Sequence, residues 1–335
     1  MKSTRQLLLV VAAMALSFGL SHEARTAGVS TSSVRIDPTR VLALDIGKYG
    51  ESIFAVGERG LIWASDSDGK SWSVQRTSTS RTLTAIAFGE GERSVAVGHA
   101  GSLFHTEDSG KTWLPVAVEA AVGNSLLGVT SLGGNRFVAY GTFGLYLEST
   151  DGGKTWKHEL LRLQENSRTG PPNVGGDAEF DRHIMKVARL GKKLLLVGES
   201  GTLAESADEG KSWQRIEVPY EGSFFGAVVS QKGTVVLHGM RGNVFRSTDA
   251  GASWVRIPLN TVSAVNGGTA LADGRIVLVG NNGLVAVSSD DGASFQTGAA
   301  KSGGDIAQAV ETKAGVLLLV GASGIRPFDL ATLKN

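Results

Sequence analysis

The chain has no cysteine among its 335 residues. That excludes disulfides, thiolate catalysis and lipid attachment at a lipobox cysteine, and a chain this long buries a core large enough to do without cross-links. Charge of one sign is missing as well: 33 basic residues face 32 acidic ones, with no basic block. A nucleic-acid partner therefore has no electrostatic footprint. Long apolar runs are absent with one exception. Leu7 to Leu20 follows Lys2 and Arg5 and leads into the small residues Gly19 and Ser21. This is the pattern of a secretory signal peptide over residues 1–21, with cleavage as late as Ala27, and it is too short to span a bilayer comfortably. The mature protein is expected to be a periplasmic (or lumenal or secreted) monomer that does not itself span a membrane. Sustained helical periodicity is also missing from the remainder.

What the chain has instead is repetition. Ser149-Thr150-Asp151-Gly152-Gly153-Lys154-Thr155-Trp156 is rewritten as Thr106 to Trp113, Ser206 to Trp213, Ser247 to Trp254 and, with phenylalanine last, Ser288 to Phe295. Ser65 to Trp72 is a looser copy, with Ser67 where the aspartate belongs. The final aromatics, Trp72, Trp113, Trp156, Trp213, Trp254 and Phe295, are spaced by 41, 43, 57, 41 and 41 residues. A second signature keeps the same beat. Gly57-Glu58-Arg59-Gly60 recurs as a Gly-x-x-Gly loop beginning at Gly98, Gly141, Gly198, Gly239, Gly280 and Gly321, seven occurrences in all.

One unit reads in full. Leu83 to Phe88, Ser94 to Val97, Ser102 to Thr106 and Thr112 to Val118 are four short strands joined by tight turns. Four strands in a unit of about 40 residues make a propeller blade, and the period makes an array. The fold class is all-β, a seven-bladed β-propeller filling residues 33–335 as one domain. The seventh unit stops one strand early, and Ser33-Val34-Arg35-Ile36-Asp37-Pro38 resembles a fourth strand such as Ser253 to Pro258. An N-terminal strand completing the last blade would shut the ring and remove an exposed edge.

The repeated carboxylates read as turn chemistry. Asp108, Asp151, Asp208, Asp249 and Asp290 can accept backbone N–H groups across the turn, with Ser/Thr hydroxyls assisting. Trp113, Trp156, Trp213, Trp254 and Phe295 then pack as large anchors. Asp66-Ser67-Asp68-Gly69 faintly resembles a calcium loop, but the longer alternating ligand series is absent, so no metal and no cofactor are assigned. The Gly-x-x-Gly loop suits a three-residue hairpin with glycine in the left-handed position. It is followed by strand rather than helix, unlike a dinucleotide fingerprint.

The two middle residues of that loop vary from blade to blade, and a fixed scaffold with variable tips is how a binding face looks. In a blade, the second-to-third turn and the crossover to the next blade emerge on one side, and the box on the other. The 57-residue step marks an insertion at about 160–183, expected on the tip face near Arg59, Arg76, Arg81, His99 and Arg241. Together with Phe143, Asp181, Arg182 and His183 these residues form the candidate partner-binding face. The bland alternative for the insertion is a tolerated surface loop.

The boxes resemble the Asp-box (BNR) repeats of sialidases and of the photosystem II stability/assembly factor family. The resemblance to the latter covers nearly the whole mature chain, through seven units, the Val-Gly-x-x-Gly segments at Val56, Val97, Val197 and Val279, and Ser-Thr-Asp-Gly-Gly-Lys-Thr-Trp. It implies a non-catalytic exported propeller that assists assembly of a membrane complex, with a membrane protein or complex subunit as partner. The enzyme alternative is a sialidase-like glycoside hydrolase, which needs a tyrosine nucleophile, two carboxylates and an arginine cluster. Arg256-Ile257-Pro258 resembles the sialidase Arg-Ile-Pro motif. Repetition explains it better, since Arg35-Ile36 and Arg215-Ile216 stand at equivalent places. Tyr49 and Tyr220 are the nucleophile candidates in that reading. A carbohydrate-binding propeller is the third class.

Overall fold

Short β-branched runs interrupted by glycine turns leave the backbone no partner but the neighbouring run, so the chain folds into successive hairpins. The computed structural model describes residues 36–164, 180–301 and 303–333. The chain divides at Arg35, and all described residues belong to the unit from Ile36 onward. The proposed signal peptide and most of the 160–183 insertion lie outside the described residues. Seven sheets follow one another in chain order, antiparallel but for one added edge strand in the fourth. Their innermost strands are Ala43–Tyr49, Leu83–Phe88, Leu126–Gly133, Ile184–Leu190, Phe224–Val229, Val265–Ala270 and Ile306–Glu311. Each packs on the next, and Ile306–Glu311 packs on Ala43–Tyr49, which closes a seven-bladed propeller.

Seven apolar clusters hold the ring, one at every junction between neighbouring blades. The box aromatics plug these seams. Trp113 packs into the junction of blades one and two, Trp156 into that of two and three, and Trp254 into that of four and five. Trp213, Phe295 and Trp72 do the same at other junctions.

The boxes are self-contained turns. Ser149 Oγ donates to Asp151 at 2.9 Å and accepts from the Gly153 amide at 2.9 Å. The Thr155 amide and hydroxyl donate to the same carboxylate at 3.0 and 2.6 Å, and Trp156 Nε1 donates to the Gly153 carbonyl at 2.9 Å. Asp108, Asp208, Asp249 and Asp290 repeat the carboxylate bonds, and of their aromatics Trp213 alone repeats the indole bond. In the first box Ser67 Oγ takes the missing aspartate's place, accepting from the Ser71 amide at 2.8 Å. Asp68 beside it reaches across to blade seven, where it accepts the amides of Lys313 and Ala314 at 2.8 and 2.9 Å. The loose copy of the motif is thus the one that carries a ring-closing contact.

Blade seven has three strands among the described residues, Ile306–Glu311, Leu317–Gly321 and Gly324–Phe328. Ser33 to Arg35, the core of the anticipated closing strand, lies outside them. The residues that follow pack against blade seven. In blades one, two, four and five the last glycine of the tip loop abuts the carbonyl of the outgoing crossover: Thr79, Ala121, Tyr220 and Thr261. At Gly324 of blade seven the carbonyl in that position belongs to Pro38. Arg326 Nη2 donates to the Thr39 carbonyl at 3.0 Å, and Ile36 packs in the cluster between blades seven and one. A chain starting at Val41 is expected to melt several degrees below one starting at Gly28; equal melting temperatures would show this docking to be incidental.

Box chemistry also sets an acid limit. The Ser212 hydroxyl and amide, then Ser206, hold the Asp208 carboxyl at about 2, and Ser253 and Ser247 do the same for Asp249. A carboxyl depressed in the folded state contributes stability above its ordinary range and loses it as pH falls toward the folded value. Melting temperature is expected to hold from neutral pH down to about 5 and to fall between about 4 and 2. A flat profile to pH 2 would contradict it. Asp151→Ala, which strands several donors, should cost about 1–3 kcal/mol in denaturant unfolding.

Candidate docking face and axial cavity

In every blade the amide after the first tip-loop glycine donates to the carbonyl preceding the innermost strand. Glu58 donates to Leu42, His99 to Thr82, Thr142 to Ser125, Glu199 to His183, Met240 to Ser223, Asn281 to Ala264 and Ala322 to Asp305, at 2.9 to 3.2 Å. The approach is so close that a Cβ on Gly57 would collide with the Leu42 carbonyl, which is why glycine recurs there. Tip loops and crossovers therefore share one face, as anticipated. The loop itself differs from the expected hairpin. Both the third residue and the closing glycine are left-handed: Arg59 and Gly60 have φ of 59° and 65°, Phe143 and Gly144 54° and 70°. Only blade seven closes as a tight two-residue turn between Gly321 and Gly324.

The residues anticipated on this face are on it, in separate groups. Arg59 on its loop, Arg76 at the tip end of the outermost strand and Arg81 in the crossover border blade one. His99 reaches the central axis, with Nδ1 3.0 Å from Ser125 Oγ. Phe143 meets His183 edge-on at 5.0 Å, His183 Nδ1 lies 3.3 Å from Glu199, and Arg182 donates to the Ser200 carbonyl at 3.2 Å. Asp181 is exposed beside them. Arg241 stands apart in blade five, over a hollow of about 300 Å³ shared with Arg256. Four exposed apolar side chains join the same face: Phe143 (66% exposed), Met240, Val122 and Val262.

The insertion behaves differently from its expected placement. Its first part does not rise to the tip face. Leu163–Gln164 pairs parallel to Trp213–Gln214 as a fifth strand on the outer edge of blade four, next to the fourth box. Leu161 is buried there with Phe180 packed against the same cluster. A free outer edge and a buried leucine outweigh the crossover rule. Of its described residues, the returning ones, Phe180 to His183, lie at the tip.

The feature missed in the sequence is a cavity of about 520 Å³ on the axis, lined by all seven blades. Each innermost strand carries a one-residue bulge near its tip end, at Leu44, Thr84, Leu127, Met185, Phe225, Asn266 and Ala307. All seven bulged residues line the cavity, and so do the residues that follow them. Those followers are Asp45, Ala85, Gly128, Lys186, Gly226, Gly267 and Gln308. The sequence carries only a faint trace of it: the third residue of each innermost strand changes type freely, and two of the seven, Asp45 and Lys186, are charged.

Polar side chains here tie blade to blade. Asp45 accepts the Ile86 amide at 3.0 Å, Thr84 donates to the Leu126 carbonyl at 2.7 Å, and Asn266 donates to that of Ile306 at 2.9 Å. Burial raises the Asp45 carboxyl, against Lys186 and two amides. The Tyr140 phenol oxygen and Asp45 favour the Lys186 ammonium over its burial cost. Burial pushes His238 down to about 4, so the ring is neutral. Two glycines make the space: a Cβ on Gly128 would strike the Tyr140 ring and hydroxyl, and one on Gly226 the His238 ring at 2.6 Å. Gly128→Ala is expected to destabilise by about 1–3 kcal/mol through overpacking, measurable by urea unfolding; a neutral effect would mean that Tyr140 is free to move aside.

No arginine lines this cavity, and Arg256 is exposed on the outermost strand of blade five, paired with Phe245. Tyr220 is packed on Phe224 and Phe245 with its hydroxyl 3.3 Å from the Met240 carbonyl, and Tyr49 stacks on Phe88. The described residues do not assemble the arginine cluster and paired tyrosine of a sialidase site.

Similar proteins agree with this geometry. A YCF48 structure with a bound D1 peptide superposes with a TM-score of 0.67 at 16% identity, over 86% of this chain and 93% of that one. YCF48 from Cyanidioschyzon merolae gives 0.66 at 16% identity, over 87% and 95%. The Cps50 (Swd1) propeller domain of Myceliophteria thermophila reaches 0.68 at 10% identity, over 88% and 98%, so superposition alone reports the fold. No curated protein matches the chain in sequence. The family is settled by the sequence model described as photosynthesis system II assembly factor YCF48: it matches residues 29–163 and 177–326, and the chain belongs to that family.

Proposed function

We propose that this protein is an exported, non-catalytic docking factor that holds a segment of a membrane-complex subunit on its tip face while the complex is assembled. The observation that carries the reading is the family match along nearly all of the propeller, together with a related propeller solved with a D1 peptide. The tip face supports it physically. Arginines at Arg59, Arg81, Arg182 and Arg241 stand among exposed apolar side chains at Phe143 and Met240, a mixture suited to an amphipathic, acidic segment. The box face offers less, since its repeated carboxylates are already satisfied within their turns.

Family membership implies a lumenal or secreted protein. Export through residues 1–21 to the periplasm is the finer reading, and among the described residues no helix is long and apolar enough to cross a membrane. Intact-mass analysis of the protein recovered from its host should give a mature chain starting between His22 and Gly28; retention of Met1 would overturn this.

Docking is tested by site-specific photo-crosslinking in the host. A crosslinking amino acid at Phe143 should yield adducts with an integral membrane protein, and one at Leu114, on the outermost strand of blade two, should not. Arg59→Glu combined with Arg241→Glu should reduce the Phe143 adducts about tenfold or more. Equal adducts from both positions, or indifference to the charge reversals, would sink the proposal.

A further inference from the structure

The axial cavity holds ionisable groups that docking on the tip face does not use. Asp45 and Lys186 occupy the same repeat position in blades one and four and face one chamber. Among the described residues Lys186 forms no direct ion pair, and its ammonium is favoured by the Tyr140 phenol oxygen and, across the chamber, by Asp45. Asp45 accepts one amide on each oxygen, from Ile46 at 2.9 Å and Ile86 at 3.0 Å, so lone pairs remain free on both. Two opposite charges thus face one chamber, close enough to favour each other's charged forms, without a direct ion pair between them.

We propose that this cavity binds a small zwitterion of the free α-amino acid class, its ammonium on Asp45 and its carboxylate on Lys186. A ligand with a single charge would satisfy one group and leave the other bare. A zwitterion satisfies both and brings no net charge into the cavity. His238 supplies a third anchor. The Val265 carbonyl, 3.0 Å from Nδ1, can only accept, so Nδ1 carries the proton and Nε2 presents a lone pair on the side that Gly226 keeps clear. That lone pair suits a second N–H of the ammonium. Leu127, Met185 and Phe225 provide apolar wall for a side chain, and about 520 Å³ lies within the range of small-ligand sites. The site is independent of the docking proposal and stands or falls separately.

The test uses the purified mature protein with L-leucine, L-methionine and L-phenylalanine as probes, followed by calorimetry and thermal shift. At least one should bind and raise the melting temperature. N-acetyl-leucine and leucinamide, which each keep one charge, should bind about tenfold or more weakly. Asp45→Asn and Lys186→Met should each weaken binding of the free amino acid to a similar degree. Where either variant melts poorly, His238→Gln, which leaves both charges in place, should still show a loss of about threefold to tenfold. Absence of binding by all three amino acids would overturn the proposal. So would equal binding of the N-acetyl or amide forms, which would mark a site for a single charge or for a partner's chain end.

Discussion

Seven backbone hydrogen bonds, from the amide after the first tip-loop glycine to the carbonyl before the innermost strand, shape both the tip face and the axial cavity. Each clamps the start of the inner strand to the end of the second strand. With that end pinned, Ala43 faces Gly57 and Asp45 faces Val56, and the residue between them has no partner. It is extruded as a bulge. Because the clamp recurs in every blade, seven extruded residues point to one axis and make a lined cavity where a regular sheet would have closed the centre with apolar side chains. The same bond forces glycine at the head of every tip loop and draws crossover and loop onto one face.

Ring closure follows a different logic, because the first and last blades have no covalent crossover between them. Three local departures from the repeat converge there. Ser67 replaces the box aspartate and still caps its turn, Asp68 reaches the amides of Lys313 and Ala314, and Pro38 stands against Gly324 where a crossover carbonyl stands in other blades. A repeat array is weakest where nearest-neighbour covalent connection is missing. Irregularity at that seam is therefore compensation rather than decay of the motif.

Much of this was legible in the residues. The boxes announced their own hydrogen bonding, since Ser/Thr, Asp, Gly and Trp at fixed spacing have few ways to satisfy one another, and Asp151 with Thr155 and Trp156 does what the pattern requires. Blade count and the shared face of Arg59, His99, Phe143 and Arg241 came from periodicity and strand direction alone. The cavity did not. A bulge is a mismatch between two strands, and neither strand records it: Leu44 and Met185 read as ordinary apolar members of their runs. Asp45 and Lys186 meet only because blades one and four face each other across a ring, a relation that no local window contains. The insertion misled for a simpler reason. Its crossover position argued for the tip, while Leu161 had a seam to fill and Leu163–Gln164 had an open edge to pair with.

The left-handed residues at the loop tips bear on how the docking face should be read. A non-glycine residue in that region costs roughly 1–2 kcal/mol, and strain of this sort is often taken as a mark of function. Here Arg59, Ala100, Phe143, Ser200, Arg241 and Asn282 all adopt it, with φ between 50° and 59°. Alanine and serine have nothing to gain from display, so the conformation is imposed by the turn and is common to the scaffold. What differs is the side chain that the shared backbone lifts clear of the face. On the proposed docking face the third loop position is then where one blade differs from another, and Arg59, Phe143 and Arg241 differ from Ala100 and Ser200 in identity, not in geometry.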